Sequence, residues 1–107
     1  MKRGDIVRVA LQGDYGKPRP ALVVQADIAP QHPSVVVLPI TSMLLDAPLW
    51  RITLEATPAN GLQERSQIML DKPATVPRKR VGAPIGRLDE TTLGQIGRTL
   101  AIWLGLA

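Results

Sequence analysis

The sequence predicts a mainly β fold, a small antiparallel β-barrel followed by one C-terminal α-helix. Three observations carry that expectation. Five or six short runs rich in Val, Ile, Leu and Thr follow one another, turn-forming residues separate them, and only the stretch after Asp89 spaces its apolar residues helically. The ten prolines and nine glycines are spread along the chain, so they punctuate strands and do not mark a disordered tract. With 107 residues the expectation is one domain over 1–107, because a second would have no core.

Ile6 to Leu11 carries β-branched residues up to the Gln12-Gly13-Asp14 turn cluster, which predicts a strand and then a loop running through Pro18. Pro20 starts a second strand, Ala21 to Ala26. Ser34 to Thr41 is almost continuously apolar, the mark of a strand buried on both faces, with Pro39 placed where no ladder N–H is needed. Trp50 to Glu55 alternates with period two, as a half-buried strand does. After the turn at Thr57 to Gly61, Gln67–Asp71 and Ala74–Val76 predict a strand broken at Pro73, and Ile85–Leu88 a short last strand. Asp89 is a good N-cap, and Leu93, Ile96, Leu100, Trp103 and Leu104 form a stripe expected to pack on the barrel. Gly105 is placed to end the helix.

The absence of cysteine excludes disulfides and thiolate zinc sites and suits a reducing cytoplasm. No signal-peptide core and no run near twenty apolar residues is present, so a cytoplasmic protein without a membrane segment is expected. Thirteen Lys and Arg against nine acids leave +4, which favours polyanions without separating RNA from DNA or an acidic protein.

The order of motifs resembles the MazF/PemK toxin family. Gly4-Asp5-Ile6-Val7 is similar to its first strand, Arg19-Pro20-Ala21-Leu22-Val23-Val24 to its second, and Pro39-Ile40-Thr41-Ser42 to its third. Arg87-Leu88-Asp89 and the Leu-Gly-Leu ending are similar to its terminal helix. Each motif alone is common, but their order covers nearly the whole chain. The resemblance implies an SH3-like barrel of the CcdB/PemK-like superfamily and a homodimer. It also implies a cognate antitoxin whose acidic tail occupies the RNA groove. The implied activity is that of a type II toxin, a sequence-specific endoribonuclease cutting single-stranded mRNA with no metal or other cofactor, so inhibiting translation and growth.

Such cleavage uses the 2′-hydroxyl against the adjacent phosphate. The protein must remove one proton, return another and stabilise the added negative charge. Arg19, bracketed by Pro18 and Pro20, sits at a loop-to-strand junction where its fork could grip a phosphate, and by resemblance it holds the catalytic arginine's place; otherwise it is a solvated strand-entry arginine. Thr41 ends the buried strand and lines the site in the family pattern, or is an ordinary β-branched residue. Asp71 falls where some members carry an acid/base aspartate; an ion pair with Lys72 or Arg78 is the alternative. Met69 stands two before it where that subgroup has arginine, and the first loop lacks a histidine, which leaves the acid and base open.

RNA contacts are expected from Tyr15, by stacking, and from Lys17, Gln25, Ser42 and Arg78, the last within the basic run Arg78-Lys79-Arg80. Each has a plainer reading as a loop anchor, strand partner, turn residue or solvated cation. The single histidine, His32, excludes a two-histidine acid/base pair within one subunit and reads as a surface residue. Met69, Trp50 and Trp103 read as packing residues. Two other classes share the barrel: a CcdB-like toxin that poisons DNA gyrase through a tryptophan near its C-terminus, and a silent barrel that only binds. An exposed Trp103 beside an incoherent Arg19–Thr41 groove would favour the gyrase reading.

Overall fold

The computed structural model describes residues 1–10 and 17–107. Its strands are β1 (Asp5–Val9), β2 (Arg19–Val23), β3 (Ser34–Thr41), β4 (Arg51–Leu54), β5 (Ser66–Met69), β6 (Ala74–Pro77) and β7 (Gly86–Arg87), followed by helix α1 (Glu90–Trp103). All described pairings are antiparallel, in the order β4-β5-β3-β2-β1-β7, with β6 also on β3. The sheet curls into a half-barrel as the segment before β7 returns along β1, through a Val9–Val81 bridge and the Ile85 N–H donating to the Ile6 carbonyl at 2.8 Å.

β3 is the spine. Its first half, Ser34 to Val37, pairs with β6, and its end, Ile40 and Thr41, with β5. The predicted break at Pro73 is where the chain passes from β5 to β6, so one partner is bent into two short strands. Both faces of β3 are covered, as its apolar run requires. Val35 and Val37 join Val7, Val9, Ala21, Val23 and Val76 in a core of small side chains. Leu38 and Ile40 join Ile6, Leu22, Ile68, Leu70, Leu93 and Ile96 in a core of larger ones that takes in α1. Full burial of a Leu or Ile contributes about 1.5–3 kcal/mol, so this second cluster is what fixes the helix on the sheet.

Asp89 caps α1 by accepting from the Thr92 N–H at 2.9 Å. Gly105, at φ +74°, ends it with Leu106 N–H donating to Ala101 and Gly105 N–H to Ile102. The expected apolar stripe is only half covered. Leu93 and Ile96 are buried, whereas Trp103 keeps 49% of its surface and Leu104 51%. Trp103 meets Trp50, with ring centroids 5.9 Å apart and the planes tilted by 40°. Among the described residues no helix is long and apolar enough to cross a membrane.

Candidate active site

The register sets the site. Ala21 faces Pro39 and Leu22 faces Leu38, so the entry of β2 and the end of β3 run side by side, and Arg19 and Thr41 line the same groove. Arg19, expected at a junction, is the first residue of β2 and exposed. It borders a groove of about 610 Å³ with Pro18, Pro20, Thr41, Ser42, Gln63, Glu64, Ser66, Met69, Lys72 and Arg8 among its lining. Among the described residues, three cations thus face one groove with a single carboxylate, Glu64. The Thr41 hydroxyl accepts the Met43 N–H at 3.1 Å, which fixes the oxygen and leaves its own hydrogen to donate.

Two buried amides hold the groove's walls. Gln67 pairs with Thr41 across the β3–β5 ladder. Its oxygen accepts from Leu45 N–H at 2.9 Å and Arg51 Nη1 at 3.1 Å, and its nitrogen donates to the Leu45 carbonyl at 2.9 Å and Thr53 Oγ1 at 3.2 Å. All four hydrogen-bonding positions of one amide are filled, and the loop after Ser42 is tied to the sheet. Asn60 does the same for the loop before β5, accepting from Thr57 N–H and Leu62 N–H, both at 3.0 Å, and donating to the Glu55 carbonyl at 2.8 Å. Gly61 at φ +70° then crosses β7 so closely that a Cβ would lie 2.0 Å from the Ile85 carbonyl oxygen.

The other expected site residues lie elsewhere. The structure does not bring Asp71 into the groove lining; it sits in the β5–β6 turn, partly buried, with Oδ1 unpartnered among the described residues and no salt bridge to Lys72 or Arg78. Lys17 is exposed just before β2 and outside the groove's lining, and Tyr15 lies outside the described residues. Gln25 is not in the groove: its amide continues the β2–β3 pairing, donating to the Ser34 carbonyl at 3.3 Å and accepting from Val36 N–H at 3.1 Å. Arg78 is at the opposite end of β3, where its Nε donates to the His32 carbonyl at 2.6 Å within a single 3-10 turn, Arg78–Arg80. With eight residues in β3, that end is roughly 23 Å from Thr41 at about 3.3 Å per residue. His32 accepts Ser34 N–H at 3.1 Å, a local turn contact.

Sequence reasoning missed Arg8, Gln63, Glu64, Ser66 and Lys72 as groove residues. Arg8 left a signal, being the one charged residue inside an apolar strand, whereas Gln63, Glu64 and Lys72 come from turns with no periodicity to place them and Ser66 only begins β5. Outside the groove, Arg87 donates to Asp5 at 2.8 Å and to Glu90 at 3.3 Å. Those bonds, the Asp5 one foremost, hold its guanidinium above the ordinary arginine range. The Thr92 backbone N–H, and then its hydroxyl, hold the Asp89 carboxyl below the usual carboxylate range. Among the described residues no group of three or more His, Cys, Asp or Glu is arranged to hold a metal ion.

Comparison with known proteins agrees with this fold. A probable endoribonuclease MazF of Mycolicibacterium smegmatis is 47% identical over 108 residues, covering 100% of this chain and 99% of that one. In fold, the chain matches the Mycobacterium tuberculosis toxin MazF-mt6 with a TM-score of 0.81 at 24% identity, over 96% of this chain and 98% of that one. It also matches a chain of a MazE–MazF crystal structure from Deinococcus radiodurans, with a TM-score of 0.79 at 23% identity, over 100% and 97%. The model of the PemK-like, MazF-like toxins of type II toxin-antitoxin systems matches residues 2–104, and the chain belongs to that family.

Proposed function

We propose that this chain is the toxin of a type II toxin-antitoxin system, an endoribonuclease that cuts single-stranded RNA without a metal ion by attack of the 2′-hydroxyl on its own phosphate. The observation that carries the reading is Arg19 and Thr41 lining one groove whose other described cations are Arg8 and Lys72. The Arg19 fork binds the scissile phosphate and stabilises the charge added in the transition state, while Thr41 and Ser42 donate hydroxyl hydrogens to its oxygens. Lys17, and Tyr15 by stacking, add to the RNA contacts. Asp71 acts, if at all, through neighbours, because it does not line the groove.

The same basic groove suits the acidic tail of a cognate antitoxin, which would shut the enzyme by occupying the phosphate positions. The uncovered helix end, Ile102, Trp103, Leu104 and Leu106, gives a second copy apolar surface to bury, in keeping with a homodimer working in the cytoplasm. Trp103 rests on Trp50 and the Arg19–Thr41 groove is coherent, so the gyrase reading has the weaker support.

The test is to incubate the antitoxin-free protein with a long single-stranded RNA in EDTA beside Arg19→Ala. Discrete cuts leaving 2′,3′-cyclic phosphate or 3′-phosphate and 5′-hydroxyl ends are expected, slowed about 10²–10³-fold in the variant. Intact RNA, cleavage of an all-DNA strand, or a chelator-sensitive reaction leaving 5′-phosphates would overturn the proposal.

A further inference from the structure

We infer that Glu64 is the proton acceptor of the cleavage, an assignment that rests on the nuclease reading and supplies the base it lacks. Of the ionisable side chains that line the groove among the described residues, Arg8, Arg19 and Lys72 are cations, and Glu64 alone is a carboxylate able to take up a proton. The remaining polar lining is Thr41, Ser42, Ser66 and Gln63, hydroxyls and an amide too weakly basic for the task. His32 and Asp71, the other bases the sequence brings forward, do not line the groove.

The carboxylate's position is electrostatically costly for binding. Placed among phosphates it weakens their attraction to the three cations, so RNA affinity alone gives no reason for it there. The Glu64 backbone is held in place. Ser66, 4% exposed at the start of β5, donates its hydroxyl to the Glu64 carbonyl at 2.8 Å, and the Asn60 network fixes the loop just upstream. The adjacent Arg65 turns to Glu55 at 2.9 Å, and the Glu64 carboxylate forms no salt bridge among the described residues.

In the reaction, Glu64 takes the 2′-hydroxyl proton as the bond from that oxygen to phosphorus forms. The bond from phosphorus to the 5′-oxygen breaks, and the departing oxygen takes a proton from the Lys72 ammonium in the same groove. The products are a 2′,3′-cyclic phosphate and a 5′-hydroxyl; exchange with water returns Glu64 to carboxylate and Lys72 to ammonium.

The experiment measures single-turnover cleavage at saturating RNA across pH for the parent chain, Glu64→Gln, Glu64→Asp, Asp14→Asn and Arg65→Gln. Binding of an RNA lacking the reactive 2′-hydroxyl is measured alongside. Glu64→Gln is expected to cut about a hundredfold slower or worse, to lose the rise of rate with pH on the acidic side, and to bind the uncleavable RNA at least as tightly. Glu64→Asp should recover part of the rate and Arg65→Gln all of it. Glu64→Gln cutting within about threefold of the parent, or losing rate only through weaker binding, would overturn the assignment. Loss of the acidic limb in Asp14→Asn instead, a residue of the first loop outside the described residues, would overturn it too. If the folded parent chain cuts no RNA, the nuclease reading itself falls, a result distinct from these.

Discussion

The two ends of β3 contrast in what their polar side chains are committed to. At the Ser34 end, Gln25, His32 and Arg78 each bond to backbone, and the strand simply gains neighbours. At the Thr41 end, Arg19, Arg8 and Lys72 face an open groove, while the amides behind them, Gln67 and Asn60, do the structural bonding. A residue type that grips RNA and one that completes a sheet look alike in sequence. What separates them is whether their donors are already taken.

Removing the hydroxyl at the open end should have the largest effect. Thr41→Val is expected to slow cleavage about a hundredfold, about 2.7 kcal/mol, with Thr41→Ser largely restoring it in the same RNA assay. Next, Gln67→Leu strands the Leu45 backbone groups and should lower stability by about 2 kcal/mol in urea unfolding, the groove loop loosening with it. At the committed end, Gln25→Ala should cost about 1 kcal/mol of stability while cleavage stays within about threefold of the parent. A large loss of cleavage there would erase the contrast.

The smallest effect concerns the helix cap. Because the Asp89 carboxyl is held below its unfolded-state value, its contribution is present above that value and lost as pH falls through the folded one. Asp89→Ala should therefore melt a few degrees lower near neutrality, and the gap from the parent should close in acid.

Much of this was legible in the sequence for a physical reason. The β3 limits, Ser34 to Thr41, follow from an apolar run between polar turns, and the α1 start and stop follow from Asp89 and Gly105, whose roles are local chemistry. Arg19 and Thr41 stand out by their motifs, and the antiparallel β2–β3 pairing brings the strand ends that carry them to one groove. What stayed hidden depends on long-range docking. The exposure of Trp103 and Leu104 depends on what the fold sets against the end of the helix, and no periodicity records that. Glu64 and Lys72 sit in turns whose direction is decided by Asn60 and by the bend at Pro73. Gln25 and Arg78 were drawn toward RNA by residue type, but their partners are carbonyls and N–H groups that only the fold brings near.

The close crossing of Gly61 and β7 also bears on the order of assembly. The Ala59 carbonyl accepts the Arg87 N–H at 2.8 Å, and a Cβ on Gly86 would lie 2.2 Å from the Asn60 carbonyl carbon. The groove wall is thus clamped by a strand lying more than twenty residues later in the chain, a contact whose loop-closure entropy must be overcome first. A chain emerging from synthesis without residues 85–87 has the arginine and the threonine but nothing for the opposite wall to lean on. The cutting edge of this toxin is completed only when β7 has been made.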